Sequence, residues 1–338
     1  MHAPSHWRPT RILFVAVALV TIFVIAALGL WGTHWTIPRV PSTVAHYTLA
    51  ATWDGRAATG GPLDRPIGIA VARSGDVFVT DARMRVVRFN AAGEVLGQWG
   101  REGDGPGEFR NPVAVAVDAG GAVYVSDYEL DRIQKFTATG TFLLEFGRSG
   151  SGPGEFDAPA GLIMDDGGSV YVADFYNHRV QKHQPGGSFA VLGRAGRLGA
   201  GALHYPTDVA ITPQRELLIA DAYNYQLQWL DLEGRPLRQI GYHLFWLWPR
   251  PAASDQGFFV PTGVAVGRDG ILHVADSGNR RVVMLSAKGE YVTDWRLPNP
   301  DSNVYSPEHL AASADGSIVY ATDLAGNRVL VLTVTPPG

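Results

Sequence analysis

The chain has 338 residues, 46% hydrophobic and 18% charged, with 40 glycines, 22 prolines and a formal net charge of -4. That length suffices for a large core, and the mild acidity speaks against nucleic acid as a partner. The absence of cysteine excludes disulfides, thiolate metal sites, cysteine nucleophiles and lipidation on cysteine.

Residues 1–11 form a short tail that carries Arg8 and Arg11. Residues 12–31, ILFVAVALVTIFVIAALGLW, hold no charge. A helix of that length spans about 30 Å, the thickness of a hydrocarbon core. Basic residues precede the run, and only Arg39 follows it closely. The positive-inside rule then predicts a single-pass signal anchor in the inner membrane, with a cytoplasmic N-terminus and the rest of the chain periplasmic or extracellular. Trp31 and Trp35 stand where an interfacial aromatic belt is expected. A cleaved signal peptide ending near Ala27-Leu28-Gly29 is the rival reading. The length of the run and the two tryptophans favour the anchor. Residues 32–45, with Pro38 and Pro41, read as a linker.

Beyond the linker one period dominates. A proline opens each unit at Pro66, Pro112, Pro159, Pro206, Pro261 and Pro307, in steps of 46, 47, 47, 55 and 46. An aspartate closes a β-branched run at Asp81, Asp127, Asp174, Asp221, Asp276 and Asp323, in steps of 46, 47, 47, 55 and 47. Two registers built on different residues agree, so residues 46–338 are predicted to be six repeats. Unit two shows four strands: 113–117 (VAVAV), 123–126 (VYVS), 132–136 (RIQKF) and 142–146 (FLLEF). Glycines at Gly121 and Gly140 supply its turns. Small residues crowd the first strand of each unit, as convergence on a central axis demands. The expected fold is therefore all-β, a six-bladed propeller with four-stranded blades, plus the one N-terminal transmembrane helix. The sixth unit lacks a fourth strand, and residues 46–53 (HYTLAATW) are predicted to supply it. The linker would then join on the face that carries the turns between first and second strands.

The segment GPGEFDAPAGLIMDDGGSVYVADFYNHRVQKH, with Asn177-His178, resembles an NHL repeat. Asn224, Asn279 and Asn327 recur at the same place, while units one and two depart from the pattern. The resemblance implies the propeller fold and leaves activity open.

The six repeated aspartates read as turn caps paired with an arginine at the start of the next strand, because a feature of every blade is architecture. GDGPGEF (103–109) and GSGPGEF (150–156) lack the Lys-Ser/Thr ending of a phosphate loop. They read as connections whose Phe wedges between blades. The amidating lyases that resemble this fold place zinc-binding histidines directly after the blade-opening proline. Here those positions hold Ile67, Val113, Ala160, Thr207, Thr262 and Glu308. Three convergent imidazoles are not in place, and no metal ligands or catalytic residues are assigned. Asp208, Glu308 and His309 lie near inner-strand starts and are the channel-mouth candidates. No cofactor is expected. Backbone carbonyls in the channel could still hold a structural Ca2+ or another divalent ion.

The 55-residue step reflects an insertion at about 242–259, with Leu244, Phe245, Trp246, Leu247, Trp248 and Arg250. Three readings compete for such a loop: it folds back over its own blades, it dips into a bilayer interface, or it anchors a protein interface, and its residues are the interaction candidates. The expected function is that of a membrane-anchored extracytoplasmic scaffold with a membrane or periplasmic protein partner. An accessory subunit of a respiratory or photosynthetic complex is the most concrete form. The alternative is an anchored metal-dependent hydrolase or lyase with its site in the channel.

Overall fold

The structure is a computed structural model, and it describes residues 45–241, 257–297 and 306–336. The predicted membrane helix, Trp31 and Trp35, and the insertion residues 244–250 lie outside the described residues. Among the described residues no helix is long and apolar enough to cross a membrane.

The described residues form six four-stranded antiparallel sheets and one short parallel pair, Arg194–Ala195 with Ala202–Leu203. Blade one is Ile69–Val71, Val77–Asp81, Arg85–Phe89 and Val95–Trp99. Blade two is Pro112–Val117, Val123–Asp127, Arg132–Phe136 and Phe142–Phe146. Blade three is Pro159–Met164, Val170–Asp174, Arg179–His183 and Phe189–Leu192. Blade four is Pro206–Ile211, Glu216–Asp221, Gln226–Asp231 and Pro236–Ile240. Blade five is Pro261–Val266, Leu272–Asp276, Arg281–Leu285 and Tyr291–Arg296. Blade six takes Leu310–Ala312, Ile318–Asp323 and Arg328–Thr335 from the end of the chain and His46–Trp53 from its start.

Each innermost strand packs on that of the next blade, and Leu310–Ala312 returns to Ile69–Val71 to close the ring. Second strands are covered on both sides by neighbouring blades. They are therefore buried along their length, except at the first residue in blades four and six, and read as continuous apolar runs such as VYVAD rather than alternating ones. Outermost strands are open on one side and expose Leu96, Leu143, Leu144 and Leu237. Phe109 and Phe156, from the two Gly-rich connections, are fully buried between blades.

His46–Trp53 runs antiparallel to Arg328–Thr335, from His46 opposite Thr335 to Trp53 opposite Val329. Trp53 is buried 5.6 Å from the Phe89 ring and 5.3 Å from Tyr320. It covers the turn at Gly93, where φ is +86° and a Cβ would come within 2.3 Å of the indole. A larger residue there would strain the turn and push the tryptophan out. Tyr47 reaches the other neighbour, its hydroxyl sharing a hydrogen bond with His273 Nδ1 at 2.7 Å. This strand thus ties blade six to blades one and five.

The repeated aspartates cap the connection into their own blade. Asp174 accepts from the Asp157 N–H at 2.9 Å, Asp221 from His204 at 2.7 Å and Asp276 from Phe259 at 2.7 Å. Arginines from the third strand pair with Asp81, Asp174, Asp276 and Asp323 at 2.7–2.9 Å. Two blades differ. Arg132 turns to Glu145, at 2.8 Å. Blade four replaces the cation with neutral donors, and Asp221 is met by Asn224, Gln226 and Gln228, each at 2.8 Å. Burial pushes the Asp221 carboxyl up to about 6, against the neutral donors that favour its anion.

Candidate functional site

Six innermost strands of small and branched residues surround a central cavity of about 170 Å³. Two ionisable side chains, Asp208 and His309, interrupt its otherwise aliphatic lining. Both sit near the starts of innermost strands, in blades four and six. The Asp208 carboxylate accepts the Val209 N–H at 2.9 Å through Oδ1, and the Val264 N–H of the next blade at 2.9 Å through Oδ2. Innermost strands are sheet edges, so their channel-facing amides need such partners. Gly161 makes room for this carboxylate: a Cβ there would lie 2.1 Å from Asp208 Oδ1.

His309 Nδ1 stands 3.9 Å from Asp208 Oδ2, an approach too long for a hydrogen bond. Burial pushes Asp208 up to about 7, against the two backbone N–H groups that favour its anion. Burial also pushes His309 down to about 4, so the imidazole is neutral at pH 7. The pair can take up or release one proton inside an aliphatic channel. Glu308 does not join them. It is absent from the cavity wall, and its carbonyl accepts the Thr262 hydroxyl at 2.7 Å. Burial raises its carboxyl to about 8. Among the described residues no three His, Asp or Glu side chains come together to hold a metal ion.

A second feature lies on the face where the channel's Asp208 end opens. Strands two and three of each blade are joined there, as are successive blades. Tyr128, Phe175, Tyr176 and Tyr223 follow the capping aspartates of blades two, three and four, and Tyr205 precedes the opening proline of blade four. Their rings form one patch. Phe175 lies 4.9 Å from both Tyr176 and Tyr205, Tyr128 is 6.0 Å from Phe175 and from Tyr176, and Tyr205 is 5.0 Å from Tyr223. His178 and His204 extend it as a stacked pair with centroids 5.0 Å apart. His178 Nδ1 accepts the Tyr205 N–H at 3.1 Å, which leaves its proton on Nε2. Burial is the first cause lowering both imidazoles, with Arg197 next, and His204 falls to about 4. Tyr176 is 49% exposed.

Sequence reasoning missed this patch. The signal was available: the position after the capping aspartate is aromatic in blades two and three, but Ala82, Ser277 and Leu324 in blades one, five and six.

With this geometry in place, comparison defines the class. Residues 156–182, which cover three strands of blade three, match the NHL repeat. No curated protein matches the chain. Among solved structures, a streptogramin B lyase is 14% identical, covering 90% of this chain and 100% of its own, with a TM-score of 0.57. A gluconolactonase from Xanthomonas campestris is 16% identical over 89% and 98%, with a TM-score of 0.61. Kuenenia stuttgartiensis hydrazine synthase is 16% identical over 82% and 97%, with a TM-score of 0.57. At such identities the likeness establishes the fold alone. The chain is a six-bladed β-propeller that carries an NHL repeat.

Proposed function

We propose that this protein is a binding module: a propeller held outside the cytoplasm by residues 12–31 that engages a membrane or periplasmic protein through one face. The observation that carries the reading is the aromatic patch. Surface tyrosines gathered from three blades are the composition of an interface hot spot. The patch also faces away from the chain's entry. His46 pairs with Thr335 at the end where the third strand of blade six finishes, opposite the face that bears the rings. A tether at residue 45 therefore leaves the patch free to meet a partner. Within this reading, the insertion residues 244–250 add a second contact, and membership of a larger membrane complex is its most concrete form.

The second reading, a hydrolase or lyase with its site in the channel, rests on Asp208 and His309. A metal-dependent form is weakened by the lack of a third ligand among the described residues, since catalytic zinc uses three protein ligands.

One experiment separates them. The full-length protein is solubilised from native membranes in mild detergent, and what stays bound is identified. A stoichiometric partner lost in Phe175→Ser/Tyr176→Ser, and kept in Asp208→Asn, supports the binding module. A partner-free protein whose turnover of lactones or esters is lost in Asp208→Asn or His309→Ala would replace it with the enzyme.

A further inference from the structure

The aromatic patch carries charge of one sign at its blade-three end. Asp157 is exposed there, and its carboxylate makes no hydrogen bond or ion pair with any described residue. It faces like charge instead. Desolvation raises its pKa first, then Asp131 and Asp174, and His178 opposes them. Asp131 accepts the Ala158 N–H at 2.8 Å, and Glu129, next to Tyr128, is exposed. The chain's own cations are committed elsewhere. Arg179 is held by Asp174 and by the carbonyls of Gly152 and Glu155. Arg110 is held by both oxygens of Asp104. Arg197 acts on the His178–His204 pair.

The aromatic rings give an independent contrast. Elsewhere the chain's own cations lie over buried rings: Lys135 over Tyr124 at 4.8 Å, Lys182 over Tyr171 at 5.5 Å and Arg238 over Trp229 at 4.5 Å. Among the described residues no cation stands over Tyr128, Phe175 or Tyr176. The exposed Tyr176 ring and the partly exposed Tyr128 and Phe175 rings, beside an unpaired carboxylate, attract a cation twice, through the ring quadrupole and through direct charge.

We propose that Tyr128, Phe175, Tyr176 and Asp157 form a docking site for a basic side chain, arginine or lysine, presented by an apolar segment of the partner protein. The inference rests on the binding-module reading and names the partner's chemistry. The ammonium or guanidinium lies over the tyrosine faces within reach of Asp157. The rings cover its aliphatic stem, and flanking apolar residues extend across Tyr205.

The test uses the full-length protein in detergent micelles to select from a display library of random dodecapeptides. Recovered peptides are expected to be enriched in Arg or Lys at one position flanked by apolar residues, by roughly fivefold, as an exposed cation–π contact implies. Enrichment is lost when Asp157→Asn is the bait and kept with Asp157→Glu. Tyr176→Ala lowers recovery of all peptides. Melting curves of the three variants should match the parent, because these side chains are exposed. Recovery of apolar peptides with no basic preference, sensitive to Tyr176→Ala, overturns the inference and leaves the binding module standing. The same basic preference with Asp157→Asn overturns it as well, and so does recovery of no peptide. Failure of the module itself reads out separately, as the partner-free protein of the preceding experiment.

Discussion

The substitution Asp208→Asn tests whether the channel carboxylate is a liability that the fold tolerates. Burial moves this group from 3.8 to about 7. The folded-state pKa lies above the unfolded value, so the fold favours the protonated form. Stability from this group is greatest below about pH 4 and falls as pH rises through about 7. About three pKa units at 1.36 kcal/mol each set a ceiling of about 4 kcal/mol lost by pH 8. Asparagine is neutral and can accept one of the two N–H groups, from Val209 or Val264. The other loses its acceptor, at about 1–3 kcal/mol. At pH 8 the variant should therefore be more stable than the parent by about 1–3 kcal/mol, a rise of a few degrees in Tm. At pH 4 the parent carboxyl is already largely protonated, and the variant should be the less stable by about 1 kcal/mol. Thermal unfolding followed by circular dichroism at the two pH values reads this crossover. A variant that loses the same stability at both would refute the reasoning. It would mean that the anion is stabilised in the channel, by a cation or by ordered water.

Gly161→Ala should cost about 3 kcal/mol or more, because the new methyl meets both the Asp208 carboxylate and its Cα, at 2.1 and 2.6 Å. Asp208→Ala should not rescue it, and full rescue in a melting experiment would show that the backbone can yield. Trp53→Ala should cost about 3–5 kcal/mol in chemical denaturation, since the indole is buried against Phe89 and Tyr320. A loss below 1 kcal/mol would mean that the outer strand of blade six is dispensable. Arg281 is 0% exposed and pairs with Asp276 at 2.7 Å. Arg281→Ala leaves a buried carboxylate unpaired and should cost about 3–5 kcal/mol. Arg281→Gln should be milder, because Gln226 already meets Asp221 in blade four. Equal losses in urea titration would contradict that comparison.

The fold was legible because every blade meets the same demands at the same places. The capping aspartate must reach the backbone that enters its blade, and the opening proline must stand at or just before the start of an innermost strand, so both recur at fixed steps. The candidate site was legible only in part. Asp208 and His309 could be selected by their position at inner-strand starts, yet that criterion also selected Glu308, which does not line the cavity. Adjacent residues on a strand point to opposite sides, and the phase that separates His309 from Glu308 is set by the irregular start of each innermost strand. The register shift between Pro206 and Asp208 shows that irregularity. The aromatic patch was invisible for another reason. Tyr128 and Tyr205 are 77 residues apart in sequence, and they join one patch, through Phe175 and Tyr176, only once the repeat is wound into a ring.

Assembling blade six from both ends of the propeller sequence imposes an order on its birth. His46–Trp53 emerges from the ribosome among the first residues of the domain, and its partner Arg328–Thr335 among the last. Throughout synthesis the first strand has no mate, and the growing stack of blades has no lid at either end. Each intermediate length is an open arc with unsatisfied strand edges, a natural client for a holding chaperone. Completion is then a single late event, in which one strand slides into place and turns a vulnerable chain into a closed one.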